Sequence, residues 1–67
     1  MKFYEVVQKY FGGGSAEVSI NIIEADSLPE CALECMLETD KDYDLWRDYF
    51  ASSEEAHRFR QECLQAL

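Results

Sequence analysis

A run of three glycines and a serine, GGGS at residues 12–15, separates two segments of this 67-residue chain that have the composition of β-strands. Residues 2–11 are rich in β-branched and aromatic side chains, and residues 16–25 alternate between apolar and polar ones. Alternation with a period of two is typical of a strand that buries one side. Consecutive glycines supply the positive φ angles of tight turns, so the two segments are predicted to pair as an antiparallel hairpin.

The register of this hairpin decides which side chains of its first strand reach the core. With a two-residue turn at Gly13-Gly14, Phe11 lies opposite Ala16, whereas a loop one residue longer exchanges the two sides of the strand. In the first register the core holds Phe3, Val7, Phe11, Val18, Ile20 and Ile22, and the open side holds Tyr4, Val6 and Tyr10. In either register a set of aromatic side chains is expected to face outward.

The pattern Ser-x-x-Glu occurs twice, at Ser27–Glu30 and at Ser52–Glu55. In a capping box, the serine and glutamate side chains each accept a hydrogen bond from the other residue's backbone N–H, which marks the start of a helix. The two patterns predict helices over residues 28–38 and 53–66. The first segment also alternates as a strand would, with Cys31, Leu33, Cys35 and Leu37 on one side, so the strand stays open as the alternative to the favoured helix.

Residues 43–50, YDLWRDYF, predict a third strand, which gives the order β-β-α-β-α. The predicted fold is a single small acidic α+β domain over residues 1–67. It has a three-stranded sheet with the N-terminal antiparallel hairpin, and both helices pack on one face of that sheet. Because a helix links the second strand to the third, those two strands are expected to be parallel, with a right-handed crossover.

Acidic residues dominate the middle of the chain. The formal net charge is −8, and residues 24–55 hold eleven Asp and Glu against Lys41 and Arg47. A field of this sign repels nucleic-acid phosphates and anionic membranes, and it attracts basic protein surfaces. Direct binding to nucleic acid or to a membrane is therefore disfavoured. A chain of this size has a small core, so a dimer interface or a bound partner would add stability.

The cysteines and the N-terminus predict a cytoplasmic protein. Cys31, Cys35 and Cys63 are odd in number and make a poor disulfide framework. Polar residues interrupt residues 1–11, where a signal peptide needs a continuous apolar stretch. No segment approaches the length of a membrane span.

One acidic cluster has part of the spacing of a calcium loop. Asp40, Asp42 and Asp44 are placed like the first ligands of an EF-hand. Leu45 stands where that loop needs glycine, and Ala51 stands where it needs a bidentate glutamate. A solvated acidic loop is therefore the favoured interpretation.

The remaining candidates for chemistry are weaker still. The zinc-ligand types Cys31, Cys35, His57 and Cys63 lack the tight spacing of structural zinc motifs. The glycine run leads into a strand rather than a helix, which is not the arrangement of a phosphate-binding loop. The sequence has no nucleophile elbow and no recognisable carboxylate pair. It therefore predicts no enzyme activity, no bound metal and no cofactor.

These observations favour a non-enzymatic protein-binding module, because aromatic rings among carboxylates suit a partner surface that carries Arg and Lys. We expect an inhibitor or modulator of the kind found among the accessory proteins of phages and mobile elements. Its partner would be a basic protein, such as a nucleic-acid-binding enzyme, with carboxylates standing where phosphates would lie. The expected partner-binding residues are Glu30, Glu34, Glu38, Asp40, Asp42, Asp44, Asp48, Tyr4, Tyr10 and Trp46.

Two alternatives from other classes remain. The outward aromatic side chains suit a homodimer interface of a self-associating structural domain. The acidic residues 40–44 or the cysteines suit a metal-responsive regulator. The fold by itself does not choose between these functions.

Overall fold

A computed structural model describes residues 1–38 and 41–66, with the backbone alone at residues 35–38 and 41–42. In these ranges, four strands form one antiparallel sheet and one helix follows them. The elements are β1 (Lys2–Phe11), β2 (Ala16–Glu24), β3 (Ala32–Glu38), β4 (Lys41–Phe50) and α1 (Ser53–Gln65). The strands lie in the order β2-β1-β4-β3, so two hairpins meet along β1 and β4.

The β1–β2 hairpin closes through a longer turn than two residues. The N–H of Gly14 donates to the carbonyl of Phe11 at 3.1 Å, and the N–H of Phe11 donates to the carbonyl of Ser15 at 2.9 Å. Gly14 has a φ of 85°, a conformation that favours glycine at the third position of such a loop. Tyr10 therefore lies opposite Ala16, and β1 takes the second of the two predicted registers.

The predicted helix over residues 28–38 is wrong. Residues 32–38 form β3, which pairs antiparallel with β4 along its whole length. The capping signal at Ser27–Glu30 acts locally, whereas β4 presents a row of backbone groups that a neighbouring strand satisfies. Pro29 also disfavours the helical conformation at Leu28, which would be in the first turn. The alternation that predicted a strand as the alternative is the pattern that the chain follows.

The predicted three-stranded sheet with two helices on one face is wrong for the same reason. With a strand in place of the first helix, no helical crossover is needed, and β3 and β4 pair as antiparallel neighbours. The strand predicted over residues 43–50 is β4, which begins at Lys41. It lies between β1 and β3 and is antiparallel to both, rather than parallel to β2.

The C-terminal helix lies close to its prediction, since α1 spans Ser53–Gln65. Ser52 is the N-cap, and its hydroxyl accepts a hydrogen bond from the N–H of Glu55 at 3.4 Å. One turn along, Arg58 donates to Glu54 at 3.2 Å in an exposed i,i+4 pair. Within the described ranges, no helix has the length and apolar character needed to cross a membrane.

The core lies between α1 and the β1–β2 half of the sheet. Val6 and Ala56 are fully buried, and Val18 is nearly so. Phe59 of α1 packs against this cluster, with its ring centre 5.2 Å from that of Phe50. Burial of a side chain of this size contributes about 1.5–3 kcal/mol, so these contacts hold the helix over this half of the sheet.

The register assigns every strand residue to one of two sides of the sheet, because directly opposite residues share a side. The helix side, on which α1 packs, carries the even-numbered residues of β1, β2 and β4 and the odd-numbered residues of β3. The second side carries the others. The helix side therefore holds Tyr4, Val6 and Tyr10, and the second side holds Phe3, Val7 and Phe11.

Candidate protein-binding surface

The helix covers only part of the helix side. Among the described residues, α1 contacts β1, β2 and β4 and makes no contact with β3. Phe50 at the end of β4 packs against Phe59 of α1, whereas the helix-side residues of β3 lie beside the helix rather than beneath it. We call the helix-side strip next to β3 the shelf, and it consists of Tyr10 of β1, Asp44 and Trp46 of β4, Leu33 of β3, and Cys31 just before β3.

Leu33 and Trp46 form the apolar part of the shelf. They lie directly opposite each other in the β3–β4 ladder, so their side chains are neighbours. Leu33 is 62% exposed and Trp46 is half-buried. An exposed aliphatic side chain beside an accessible indole is typical of protein-binding surfaces, in which Trp is a frequent anchor.

Acidic side chains lie next to this apolar pair. Asp44 is exposed and lies opposite Tyr10, whose side chain is itself 40% exposed. Asp48 is half-buried further along β4, on the same side of the sheet. The shelf therefore combines accessible rings with negative charge.

A row of hydrogen-bonded polar side chains crosses the sheet from β1 to the start of β3. The hydroxyl of Tyr10 donates to Oε1 of Gln8. Nε2 of Gln8 donates to Oδ2 of Asp48 at 3.2 Å, and Sγ of Cys31 donates to Oδ1 of the same carboxylate at 3.1 Å. Gln8 is buried with both of its polar atoms bonded. Satisfied buried groups of this kind fix side-chain positions, so the row orients Tyr10 and Asp48 at the margin of the shelf.

Asp48 also controls the two thiols near the shelf. Its hydrogen bond with Cys31 raises the pKa of that thiol, and burial and the carboxylate charge raise it further. Burial raises the pKa of the Cys63 thiol, and the charges of Asp48 and Glu62 add to the effect. Both thiols are therefore protonated at neutral pH and lack the character of reactive nucleophiles.

The second side of the sheet has a different character, because charged side chains cross it. Arg47 donates to Glu34 at 2.5 Å and lies 3.8 Å from Glu5. Nζ of Lys9 lies 5.7 Å from the centre of the Tyr43 ring. The apolar residues Phe3, Val7 and Leu45 are buried on this side. Arg47 thus pairs its charge with carboxylates of the second side, and the shelf differs in carrying the exposed Leu33 and the exposed Asp44.

The structure brings half of the predicted partner-binding residues together on the helix side, namely Tyr4, Tyr10, Asp44, Trp46 and Asp48. Tyr10, Asp44 and Trp46 belong to the shelf, and Asp48 borders it. Tyr4 instead packs against the core cluster under the helix. Rings and carboxylates are therefore neighbours on the helix side, and not on the open side that the sequence analysis assigned to Tyr4 and Tyr10.

The other predicted partner-binding residues lie elsewhere. Glu34 is on the second side, and Glu30 is exposed in the connection that precedes β3. Glu38 and Asp42 lie at one end of the β3–β4 ladder, where Glu38 is opposite Lys41 and Asp42 is opposite Leu37. Asp40 lies outside the described residues.

Sequence reasoning missed three residues of this region. Leu33 and Cys31 were assigned to a helix, although the alternation of residues 31, 33, 35 and 37 was the signal for their shared side. Gln8 was treated as an interruption of an apolar stretch, yet it is the buried centre of the polar row. No local pattern predicts that role, because the acceptor Asp48 lies on β4, 40 residues later in the chain.

The described residues show no metal centre. In residues 1–38 and 41–66, no group of three or more His, Cys, Asp or Glu side chains is placed to hold an ion. Cys31 is exposed and Cys63 is half-buried, and both are free thiols. Of the three residues with calcium-loop spacing, Asp40 lies outside the described residues.

A different feature lies at the opposite edge of the sheet. An open pocket of about 550 Å³ is lined by Val18, Ser19, Ile20, His57, Arg60 and Gln61. Nε of Arg60 donates to the backbone carbonyl of Val18 at 3.1 Å. The guanidinium thus lies against the edge of β2.

The fold and the shelf together define a small α+β domain whose antiparallel sheet is covered incompletely by one helix. In comparisons with known proteins, the chain matches no family model, no curated protein and no solved structure.

Proposed function

We propose that this protein is a non-enzymatic protein-binding module that engages a basic partner protein through the shelf and thereby inhibits or modulates it. The observation that carries the proposal is the exposed Leu33 beside Trp46, on the part of the sheet that α1 leaves uncovered. The apolar pair supplies an anchor, and Asp44 supplies a charge at its border. This combination suits a surface that carries both apolar and basic side chains.

The distribution of charge supports a basic partner. Residues 30–48, which contain β3 and most of β4, hold seven acidic residues against Lys41 and Arg47. Concentrated negative potential steers a basic surface toward this half of the molecule and accelerates association. We therefore expect binding to weaken as the salt concentration rises, because salt screens exposed charges.

The chemistry of the shelf supports binding rather than catalysis. The thiol of Cys31 is held in its protonated form by its bond to Asp48. The carboxylate of Asp48 already accepts two hydrogen bonds, from Gln8 and from Cys31. Both groups are thus engaged in holding the sheet together.

The proposal is tested with two matched arginine substitutions. Leu33 and Ile22 lie on the helix side at opposite edges of the sheet, and they are 62% and 64% exposed. Tagged wild-type protein, Leu33→Arg and Ile22→Arg are incubated with a lysate of the source organism, and captured proteins are quantified by mass spectrometry. We expect the wild type and Ile22→Arg to capture the same basic protein, and Leu33→Arg to lose it.

The control measurements separate binding from folding and from self-association. Circular dichroism should show that both variants remain folded, because both side chains are largely exposed. Retention of the basic partner by Leu33→Arg, or capture of acidic proteins alone, would contradict the proposal. A wild-type dimer that Leu33→Arg dissociates, measured by light scattering, would favour the homodimer instead.

A further inference from the structure

The hydrogen bonds at the two ends of the β1–β2 hairpin determine which way each backbone group points. The N–H of Phe11 donates to the carbonyl of Ser15, and Met1 and Ala25 exchange bonds of 3.1 Å at the other end. Bonded and non-bonded pairs alternate along an antiparallel ladder. The odd-numbered residues of β1 therefore bond to β2, and its even-numbered residues bond to β4.

The same alternation continues across the sheet. The even-numbered residues of β4 lie opposite the even-numbered residues of β1, so the odd-numbered residues of β4 bond to β3. Their partners in β3 are even-numbered, as Arg47 opposite Ala32 and Leu45 opposite Glu34 show. The N–H and C=O groups of Leu33 and the other odd-numbered residues of β3 therefore point outward, at the free edge of the sheet.

The two free edges of the sheet differ. By the same alternation, the carbonyl of Val18 points outward from β2, and Arg60 of α1 donates to it. The edge of β3 has no such cover from α1 in the described chain, and its Leu33 is exposed. An uncovered edge of this kind is a template for a further strand.

We propose that the partner adds an extended segment as a fifth strand to the outer edge of β3; this step rests on the proposed function and specifies how the partner is held. Main-chain hydrogen bonds to the outward groups of β3 provide affinity, and the side chains beside them provide selectivity. Because β3 has seven residues, the segment is of similar length.

The surroundings of β3 specify the composition of that segment. On the helix side, its side chains lie beside Leu33, which favours apolar residues. On the second side, they lie beside Glu34, whose side chain is 50% exposed. A segment that alternates Lys or Arg with β-branched apolar residues satisfies both sides.

Charge favours this occupant over a second copy of the chain. Each copy carries a net charge of −8, with its acidic residues concentrated in and around β3 and β4. Pairing two β3 edges would bring these like charges together, which opposes association. A basic segment is attracted to the same edge.

The test uses a synthetic seven-residue peptide in which Lys alternates with Val, and two N-methylated forms of it. One form is methylated on the Lys residues and the other on the Val residues. Only one edge of the added strand faces β3, so we expect one form to lose binding and the other to keep it. Binding is followed by NMR titration, with protection of the Leu33 amide from hydrogen exchange as the site-specific signal.

Two variants of this protein at Leu33 test the same backbone contact between β3 and the peptide. Leu33→Pro removes an outward N–H that takes no part in the β3–β4 ladder, which is the position where an edge strand tolerates proline. Leu33→Ala removes a comparable amount of side chain and keeps the N–H. We expect Leu33→Pro to bind the peptide about tenfold more weakly than Leu33→Ala, because the lost hydrogen bond leaves a peptide carbonyl without a partner.

The outcomes separate this inference from the proposed function. Strand addition is overturned if both methylated peptides lose binding equally or if both keep it. This comparison does not depend on the variants of Leu33, so it remains decisive if Leu33→Pro fails to fold. If strand addition fails while Leu33→Arg still abolishes capture of the basic partner, the shelf binds by its side chains and the proposed function stands. A wild-type dimer that Leu33→Pro dissociates assigns the edge to a second copy and overturns the inference.

Discussion

The guanidinium of Arg60 donates from Nε to the backbone carbonyl of Val18, which lies 3.1 Å away and 42 residues earlier in the chain. This contact joins the middle of α1 to the outer edge of β2. It satisfies an outward carbonyl that would otherwise belong to a free sheet edge. The β2 edge is therefore partly capped from within the molecule, whereas the helix does not reach β3.

Removing this cap should destabilise the protein. We expect Arg60→Ala to lower the free energy of unfolding by about 1 kcal/mol, because a part-buried carbonyl loses a charge-assisted donor. Arg58→Ala is the matched control, since its exposed pair with Glu54 contributes about 0.5 kcal/mol or less. Urea denaturation of the two variants measures the difference. Equal effects would show that the contact with Val18 contributes nothing beyond surface charge.

The two Ser-x-x-Glu patterns provide a second prediction. Ser52→Ala should lower the free energy of unfolding by about 1 kcal/mol, because Ser52 caps α1. Ser27→Ala should leave it nearly unchanged, because no helix follows Ser27. The same urea titration compares the two variants. A comparable loss in both would mean that residues 28–38 need the hydroxyl of Ser27 for another reason.

The reactivity of Cys31 should depend on Asp48. The bond to the carboxylate of Asp48 raises the pKa of this exposed thiol, so we expect the thiol to react slowly. We expect Asp48→Asn to lower that pKa and to accelerate alkylation of Cys31 by iodoacetamide at mildly alkaline pH, because the thiolate is the reactive form. Asp44→Asn, on the same side of β4, is the control. Peptide mapping by mass spectrometry reports each thiol separately, and equal rates in the two variants would refute the assignment.

Stability should decrease at alkaline pH. The pKa values of Tyr10, Cys31, Tyr49 and Cys63 are raised from usual values of 10.0 for the phenols and 9.0 for the thiols. Burial is the largest cause for three of them, and the bond to Asp48 is the largest for Cys31. A raised pKa in the folded state contributes stability that is complete below the unfolded value and is lost as the pH rises through the folded value. We expect the free energy of unfolding to decline above pH 9.0.

Urea denaturation at a series of alkaline pH values measures this decline in the free energy of unfolding. Cys63→Ala removes one of the raised groups from a half-buried position, so it should reduce the slope of the decline. If the free energy of unfolding does not change with pH while the thiols and phenols titrate, the raised pKa values are contradicted.

Local patterns predicted the two ends of this fold. The glycine run and the alternation of residues 16–25 predicted the β1–β2 hairpin, because both its turn and its pairing involve adjacent segments. The Ser52–Glu55 pattern predicted α1 for the same reason. Tyr10 was predicted on the open side in the first register, whereas the observed register places it on the helix side, where Asp44 and Trp46 also lie.

The middle of the chain could not be predicted in this way. Residues 28–38 contain both a helix-start signal and a strand alternation, and the choice depends on β4, which follows later in the chain. Once β4 pairs with β1, the backbone N–H and C=O groups on its other edge still need hydrogen-bond partners, and β3 provides them. The mistaken helix removed Leu33 from the predicted binding surface and left the β3 edge unrecognised.

The sequence alone determined the composition, the acidic charge around residues 24–55, the N-terminal hairpin and the C-terminal helix, because each of these depends on residues that are close together in the chain. Tertiary structure decided the order of the strands, the side to which each ring belongs and the half of the sheet that remains uncovered. These depend on which distant backbone groups satisfy one another's hydrogen bonds, and a single turn residue at Gly14 is enough to exchange the two sides of β1.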